Sequence, residues 1–174
     1  MLNNRILITG ATGFVGKQVI KRLCDLDVNI YLVLRPGKEN IFHDNEAVES
    51  IIFSQDIFKE SAAWWAETCA DIDTIIHLAW YAEPGAYYTS LRNIYCLQGT
   101  LNLAEGCVMA GVTKFVGVGS CAEYEETTVP IKHNGTLKPS TIYAAAKVAT
   151  FQMLEQIFKL NDLDFLWCRL FYLY

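Results

Sequence analysis

Tyr143 and Lys147 stand four residues apart in the helix-like run Ser140-Thr141-Ile142-Tyr143-Ala144-Ala145-Ala146-Lys147. At that spacing both side chains leave one helical face about one turn apart, and the three alanines keep the face low enough for a flat ring. A phenol is a poor base near neutrality because its unperturbed pKa is about 10, and a neighbouring ammonium favours the phenolate. Earlier in the chain Ser120 closes the apolar run Phe115-Val116-Gly117-Val118-Gly119, where a hydroxyl can hydrogen-bond an oxygen that gains or loses a proton. The three together could move a proton at a substrate oxygen. Alone, Tyr-x-x-x-Lys reads as an ordinary amphipathic surface pair, so its meaning depends on the elements that position it.

The first of those elements is Ile6-Leu7-Ile8-Thr9-Gly10-Ala11-Thr12-Gly13-Phe14-Val15-Gly16, an apolar strand running into three glycines and then an amphipathic helix. A parallel strand delivers the backbone to a tight turn, glycine lets it lie against a pyrophosphate, and the helix points its positive N-terminus at the phosphates. The segment Gly10, Thr12, Gly13, Phe14, Val15 and Gly16 is therefore read as a dinucleotide cradle; the other reading is a plain structural turn.

Further strands are expected at Asn29–Leu34, Ser50–Ser54, Thr74–Leu78, Lys114–Val118 and Phe165–Phe171, after a first at Arg5–Thr9. Helical periodicity covers Phe14–Cys24, Ile57–Cys69, Tyr88–Ala110 and Ser140–Leu160. Strands alternating with helices predict an α/β protein with a mostly parallel, doubly wound sheet and helices on both faces. A length of 174 residues corresponds to about one domain.

Ligands of open parallel sheets bind beyond the carboxyl ends of the strands. No acidic residue lies from Asn29 to Lys38 to accept from an adenosine ribose, whereas Arg35 and Lys38 follow the second strand. That pair favours a phosphorylated ribose and hence NADP, with NAD as the alternative. As ordinary solvated loop cations they would say nothing about a cofactor. After the third strand, Asp56 beside Ile57 has two readings, acceptor for an adenine amino group and N-cap of the following helix. His77, inside an apolar run, reads as a core residue without proton chemistry.

The net charge of −5 argues against nucleic acid as a partner. Six cysteines (Cys24, Cys69, Cys96, Cys107, Cys121, Cys168) without a C-x-x-C pair read as buried thiols rather than metal ligands or disulfides. No signal-peptide pattern precedes the first strand and no apolar run has membrane-spanning length, so a cytoplasmic, non-membrane protein is expected.

At these residues the chain resembles the extended short-chain dehydrogenase/reductase family, the NAD(P)-dependent nucleotide-sugar epimerases, dehydratases and reductases. The resemblance rests on Thr9 to Gly16, Gln55-Asp56-Ile57, His77-Leu78-Ala79, Gly99-Thr100-Leu101-Asn102-Leu103, Ser120 with Tyr124, Tyr143 with Lys147, and Arg169. It implies a Rossmann fold, Tyr143 as catalytic acid/base, Lys147 on the nicotinamide ribose, Ser120 positioning the reacting oxygen, and Leu78 and Ala79 beside the cofactor. A nucleotide-sugar substrate is implied too, with either a 4-keto reductase or an epimerase activity, and a possible homodimer through the long helices.

The departures from the family pattern carry expectations of their own. Cys121 and Ala122 stand where dehydratases carry an acidic pair, which disfavours water elimination, and Glu123 lies one position late. Cys96 replaces a usual asparagine, with Asn93 one turn earlier. Trp80, Tyr81, Pro84 and Tyr87 either shape an unusual substrate entrance or simply pack. Family members continue past the equivalent of Arg169 to Tyr174 into a smaller substrate-binding region of about a hundred residues or more. Residues 1–174 are thus expected to be the NAD(P)-binding domain with that region largely absent, leaving an exposed apolar face. A non-catalytic NADP-binding sensor or scaffold, or an inactive homologue, is the alternative.

Overall fold

Short runs of Ile, Leu, Val and Phe, apolar on both sides of the chain, can only be satisfied inside a sheet covered by helices. The computed structural model, which describes residues 4–42 and 45–173, builds them into one six-stranded sheet. The strands are β1 (Arg5–Thr9), β2 (Asn29–Leu34), β3 (Val48–Phe53), β4 (Thr74–His77), β5 (Lys114–Ser120) and β6 (Asp164–Leu170). The helices are α1 (Phe14–Leu23), α2 (Ala62–Thr68), α3 (Arg92–Ala110) and α4 (Ile142–Leu160). All strand pairs are parallel, in the order β3-β2-β1-β4-β5-β6. The chain reverses its direction of winding between β1 and β4, so the crevice for a ligand opens above their carboxyl ends.

Alternation along each strand sorts the core into two layers. Leu7, Val33, Ile75 and Phe115 face α2, α3 and α4 and pack with Trp65, Leu103, Leu154 and Phe158. Ile6, Ile8, Ile30, Leu32 and Leu34 face the other way, with Ile20 of α1 and Phe42. On that second face, among the described residues, helix cover comes from α1 alone; Leu166 of β6 is 56% exposed there.

Two helices start later than their periodicity suggests, each because a side chain holds the preceding turn. Asp56 Oδ1 accepts the Phe58 amide at 3.2 Å, and the helix waits for Ser61, whose hydroxyl accepts the Trp64 amide at 3.1 Å. Ser61, not Asp56, is therefore the N-cap of α2, which corrects that alternative for Asp56. Before α3, Asn93 Nδ2 donates to the carbonyls of Tyr87 (2.7 Å) and Ser90 (2.9 Å), tying residues 87–91 into a non-helical bend. No helix among the described residues is long and apolar enough to cross a membrane.

Candidate active site

The glycines after β1 are required by close approach. Gly10 has φ +76°, and a Cβ there would lie 2.6 Å from the Ala79 amide nitrogen and 2.8 Å from the Leu78 carbonyl carbon. A Cβ on Gly16 would strike the Gly10 carbonyl oxygen and sit 2.8 Å from the Ala11 backbone. The first strand's turn, the end of β4 and the first turn of α1 thereby form one tight unit, with the Leu78 amide donating to the Thr9 carbonyl at 3.1 Å. No side chain caps α1 and its first turn has no acid, so the amides around Phe14, Val15 and Gly16 lack a protein anion to answer the helix dipole. This uncapped end fits a pyrophosphate. Thr12 and Gly13 lie in the turn itself.

The other expected cofactor contacts follow the carboxyl ends of β2 and β3. Arg35 and Lys38 are exposed in the turn after β2, where Gly37 takes φ +82°. The next acid, Glu39, has one carboxylate oxygen buried. Asp56 stands at the end of β3 holding its own turn, with Ile57 packed on the core.

Ser120 ends β5 and begins a 3-10 turn, Cys121–Glu123, in which its hydroxyl accepts the Ala122 amide at 3.2 Å. Tyr143 is the second residue of α4, whose start is fixed by Thr141 Oγ1 accepting the Ala144 amide at 3.1 Å. The Tyr143 amide donates to the Tyr88 carbonyl at 3.2 Å, and its ring meets those of Tyr87 and Tyr88 edge-on, with centroids 4.9 and 5.7 Å away. Burial raises the Tyr143 phenol above its usual range; the nearby Ser120 hydroxyl acts in the opposite direction, and the Glu123 charge adds to the rise. Serine and tyrosine are therefore brought together.

Lys147 is engaged with β5 and Trp80. Its ammonium donates to the Val118 carbonyl at 2.7 Å and lies 3.7 Å from the centroid of the Trp80 ring. It reaches from the helix toward β5. Only 4% of the residue is exposed. Burial brings its pKa down from 10.5 to about 7, with the Glu123 carboxylate pulling the other way.

His77 is a core residue, as its sequence context implies. Nδ1 lies 2.7 Å from Thr9 Oγ1 and Nε2 3.1 Å from Thr100 Oγ1. Thr100 gives its proton to the Cys96 carbonyl at 2.7 Å, so it accepts from Nε2–H, and Nδ1 accepts from Thr9. Burial lowers the imidazole to about 3 and keeps it neutral.

Residues 6–174 match the model of the NAD dependent epimerase/dehydratase family. The chain belongs to that family. It is 29% identical to a UDP-glucose 4-epimerase of Neisseria gonorrhoeae over 88% of this chain and 48% of that protein. It is 25% identical to a dTDP-6-deoxy-L-talose 4-dehydrogenase (NAD(+)) of Aggregatibacter actinomycetemcomitans over 97% of this chain and 61% of that one. The fold superimposes on the UDP-N-acetylglucosamine 4-epimerase of Methanobrevibacter ruminantium M1, in complex with UDP-N-acetylmuramic acid, with a TM-score of 0.79 at 24% identity, covering 97% of this chain and 55% of that one. The chain thus spans about half the length of these UDP-glucose 4-epimerase relatives.

Three side chains that the sequence names without giving them these partners surround Ser120 and Lys147. Asn93 is fully buried and accepts from Trp80 Nε1 at 2.8 Å, so it holds both the preceding bend and the ring that covers Lys147. Trp80 packs as a lid on that ammonium. Glu123 has no exposed surface at all. The signal for Glu123 was present in Gly117 and Gly119, small residues opposite Trp167 and Arg169 on the next strand.

Proposed function

We propose that residues 1–174 form the cofactor-binding half of an NADP-preferring nucleotide-sugar oxidoreductase, a 4-keto reductase in preference to an epimerase. The observation that carries this reading is the convergence of the glycine cradle, Ser120 and Tyr143 at the carboxyl ends of β1 and β5. The basic loop of Arg35 and Lys38, without an acid at the end of β2, supports NADPH over NADH. The amides at the start of α1 would hold the pyrophosphate, and Lys147 would reach the ribose once Trp80 moves aside.

When bound, the nicotinamide supplies a hydride to a sugar carbonyl carbon, or takes one from a carbinol. Ser120 hydrogen-bonds the reacting oxygen and Tyr143 exchanges its proton with it. A buried phenol that stays protonated near neutrality suits the direction in which a proton is given to an oxygen gaining negative charge, which is reduction. Water elimination is disfavoured further by the fate of Glu123, the nearest carboxylate, whose oxygens are taken up inside the protein.

The test is turnover of NADPH with UDP- and dTDP-linked 4-keto sugars, for wild type and Tyr143→Phe. The reading expects nicotinamide oxidation in the wild type and a loss of about 10²-fold or more in the variant, with NADPH affinity retained. Equal turnover by both proteins would remove Tyr143 from the chemistry and with it the proposed reaction.

A further inference from the structure

Beneath Ser120 lies a polar cluster in a place where a core should be apolar. Glu123 is fully buried, and its carboxylate accepts from the Ser120 amide (2.8 Å), from Trp167 Nε1 (3.2 Å to each oxygen) and from Arg169 Nε (2.6 Å). Register explains how three segments meet. Gly117 pairs with Trp167 and Gly119 with Arg169, so the two β6 side chains rise on one face beside two glycines of β5. A Cβ on Gly117 would lie 2.6 Å from the Trp167 ring, and one on Gly119 would strike both the Trp167 indole nitrogen and the Glu123 carboxylate. Gly-x-Gly-Ser-x-x-Glu on one strand and Trp-x-Arg on the next therefore behave as one constructed unit.

The unit is expensive to bury. Arg169 Nη2 is buried without a hydrogen-bond partner, and the guanidinium lies over Phe151 and Tyr124, with ring centroids 4.5 and 5.3 Å away. A buried ion pair is often no better for stability than apolar residues of similar volume. Its contacts here converge on the backbone of the residue that is to hold the reacting oxygen.

We propose that Glu123, clamped by Trp167 and Arg169, is the positioning residue of the site, fixing the turn that aims the Ser120 hydroxyl at Tyr143. The link is short. Glu123 takes the Ser120 amide, the Ser120 hydroxyl takes the Ala122 amide, and the two bonds close a reciprocal cap that leaves the turn one geometry. This inference deepens the proposed reaction and rests on it for its consequence in turnover, while the geometry of the turn is testable without any substrate.

Two variants separate positioning from mere stability. Glu123→Gln keeps an acceptor for the Ser120 amide, whereas the double variant Glu123→Leu with Arg169→Leu removes that acceptor and the buried charge together, so that packing sustains the fold. Amide hydrogen exchange by NMR is read at Ser120 and at Phe115 and Val116 farther back on β5. Exchange at Ser120 is expected to rise about tenfold or more in the double variant and by less than about threefold in Glu123→Gln, with Phe115 and Val116 unchanged. In turnover with the 4-keto sugar, kcat of the double variant is expected to fall about 10²-fold while KM and NADPH affinity stay within about threefold, and Glu123→Gln recovers most of kcat. Unchanged Ser120 exchange in the double variant, or an equal rise along all of β5, overturns the proposal. Absence of turnover in the wild type would overturn the proposed reaction instead, and the exchange data would still decide the role of Glu123.

Discussion

Replacing Lys147 by methionine should make the protein more stable near pH 6 while abolishing its chemistry. The ammonium is 4% exposed, and burial lowers its pKa from 10.5 to about 7. At about 1.4 kcal/mol per tenfold change, that drop represents ~5 kcal/mol of cost for keeping the charge inside at acidic and neutral pH. The sign follows from proton counts. Between pH 7 and 10.5 the unfolded chain binds the proton and the folded chain does not, so stability rises with pH across that window and the penalty is constant below it. Methionine fills the stem's volume but leaves the Val118 carbonyl without its 2.7 Å donor, which returns ~1 kcal/mol or more of the gain. The expected net stabilisation is about 1–4 kcal/mol at pH 6, shrinking toward zero by about pH 10. Urea unfolding of both proteins at pH 6, 8 and 10 measures it. A variant no more stable than wild type at pH 6, or an advantage that does not shrink with pH, would refute the electrostatic reasoning.

Other consequences follow from the same geometry. Gly16→Ala should lower stability by about 1–3 kcal/mol, because its Cβ meets the Gly10 carbonyl, and should weaken NADPH binding with it; thermal unfolding and a binding titration check both. His77→Gln should flatten the acid limb of the stability curve. Folded His77 titrates at about 3 against an ordinary 6.5, so wild-type stability falls as pH drops below 6.5, by about 3 kcal/mol near pH 4, and the variant should lack that component in acid unfolding. Arg35→Ala should reduce the preference for NADPH over NADH about tenfold without touching stability, since the side chain is exposed.

The fold was legible because its strands are continuous apolar runs and its crossovers are helical in period. Nearly every strand boundary lies within two residues of expectation. The helix starts were less legible. The positions of α2 and α3 depend on Asp56, Ser61 and Asn93 holding turns, and that use of side chains is visible only when their partners are in place. The glycine turn, Ser120 and Tyr143 stand out in the sequence because their types and spacing suit a shared chemistry, and the structure sets Ser120 at the end of β5 and Tyr143 at the start of α4. The orientation of Lys147 was not legible, because it is decided by the Val118 carbonyl and Trp80, residues distant in the chain. Glu123 reads in the sequence only as a misplaced acid, because its partners Trp167 and Arg169 lie more than forty residues away.

Calorimetric titration of the 174-residue chain with NADPH, and separately with NADH, addresses the central claim that these residues hold a dinucleotide. The account predicts saturable binding with NADPH the tighter ligand, and loss of that difference in Arg35→Ala. Binding of neither cofactor by a folded chain would contradict it.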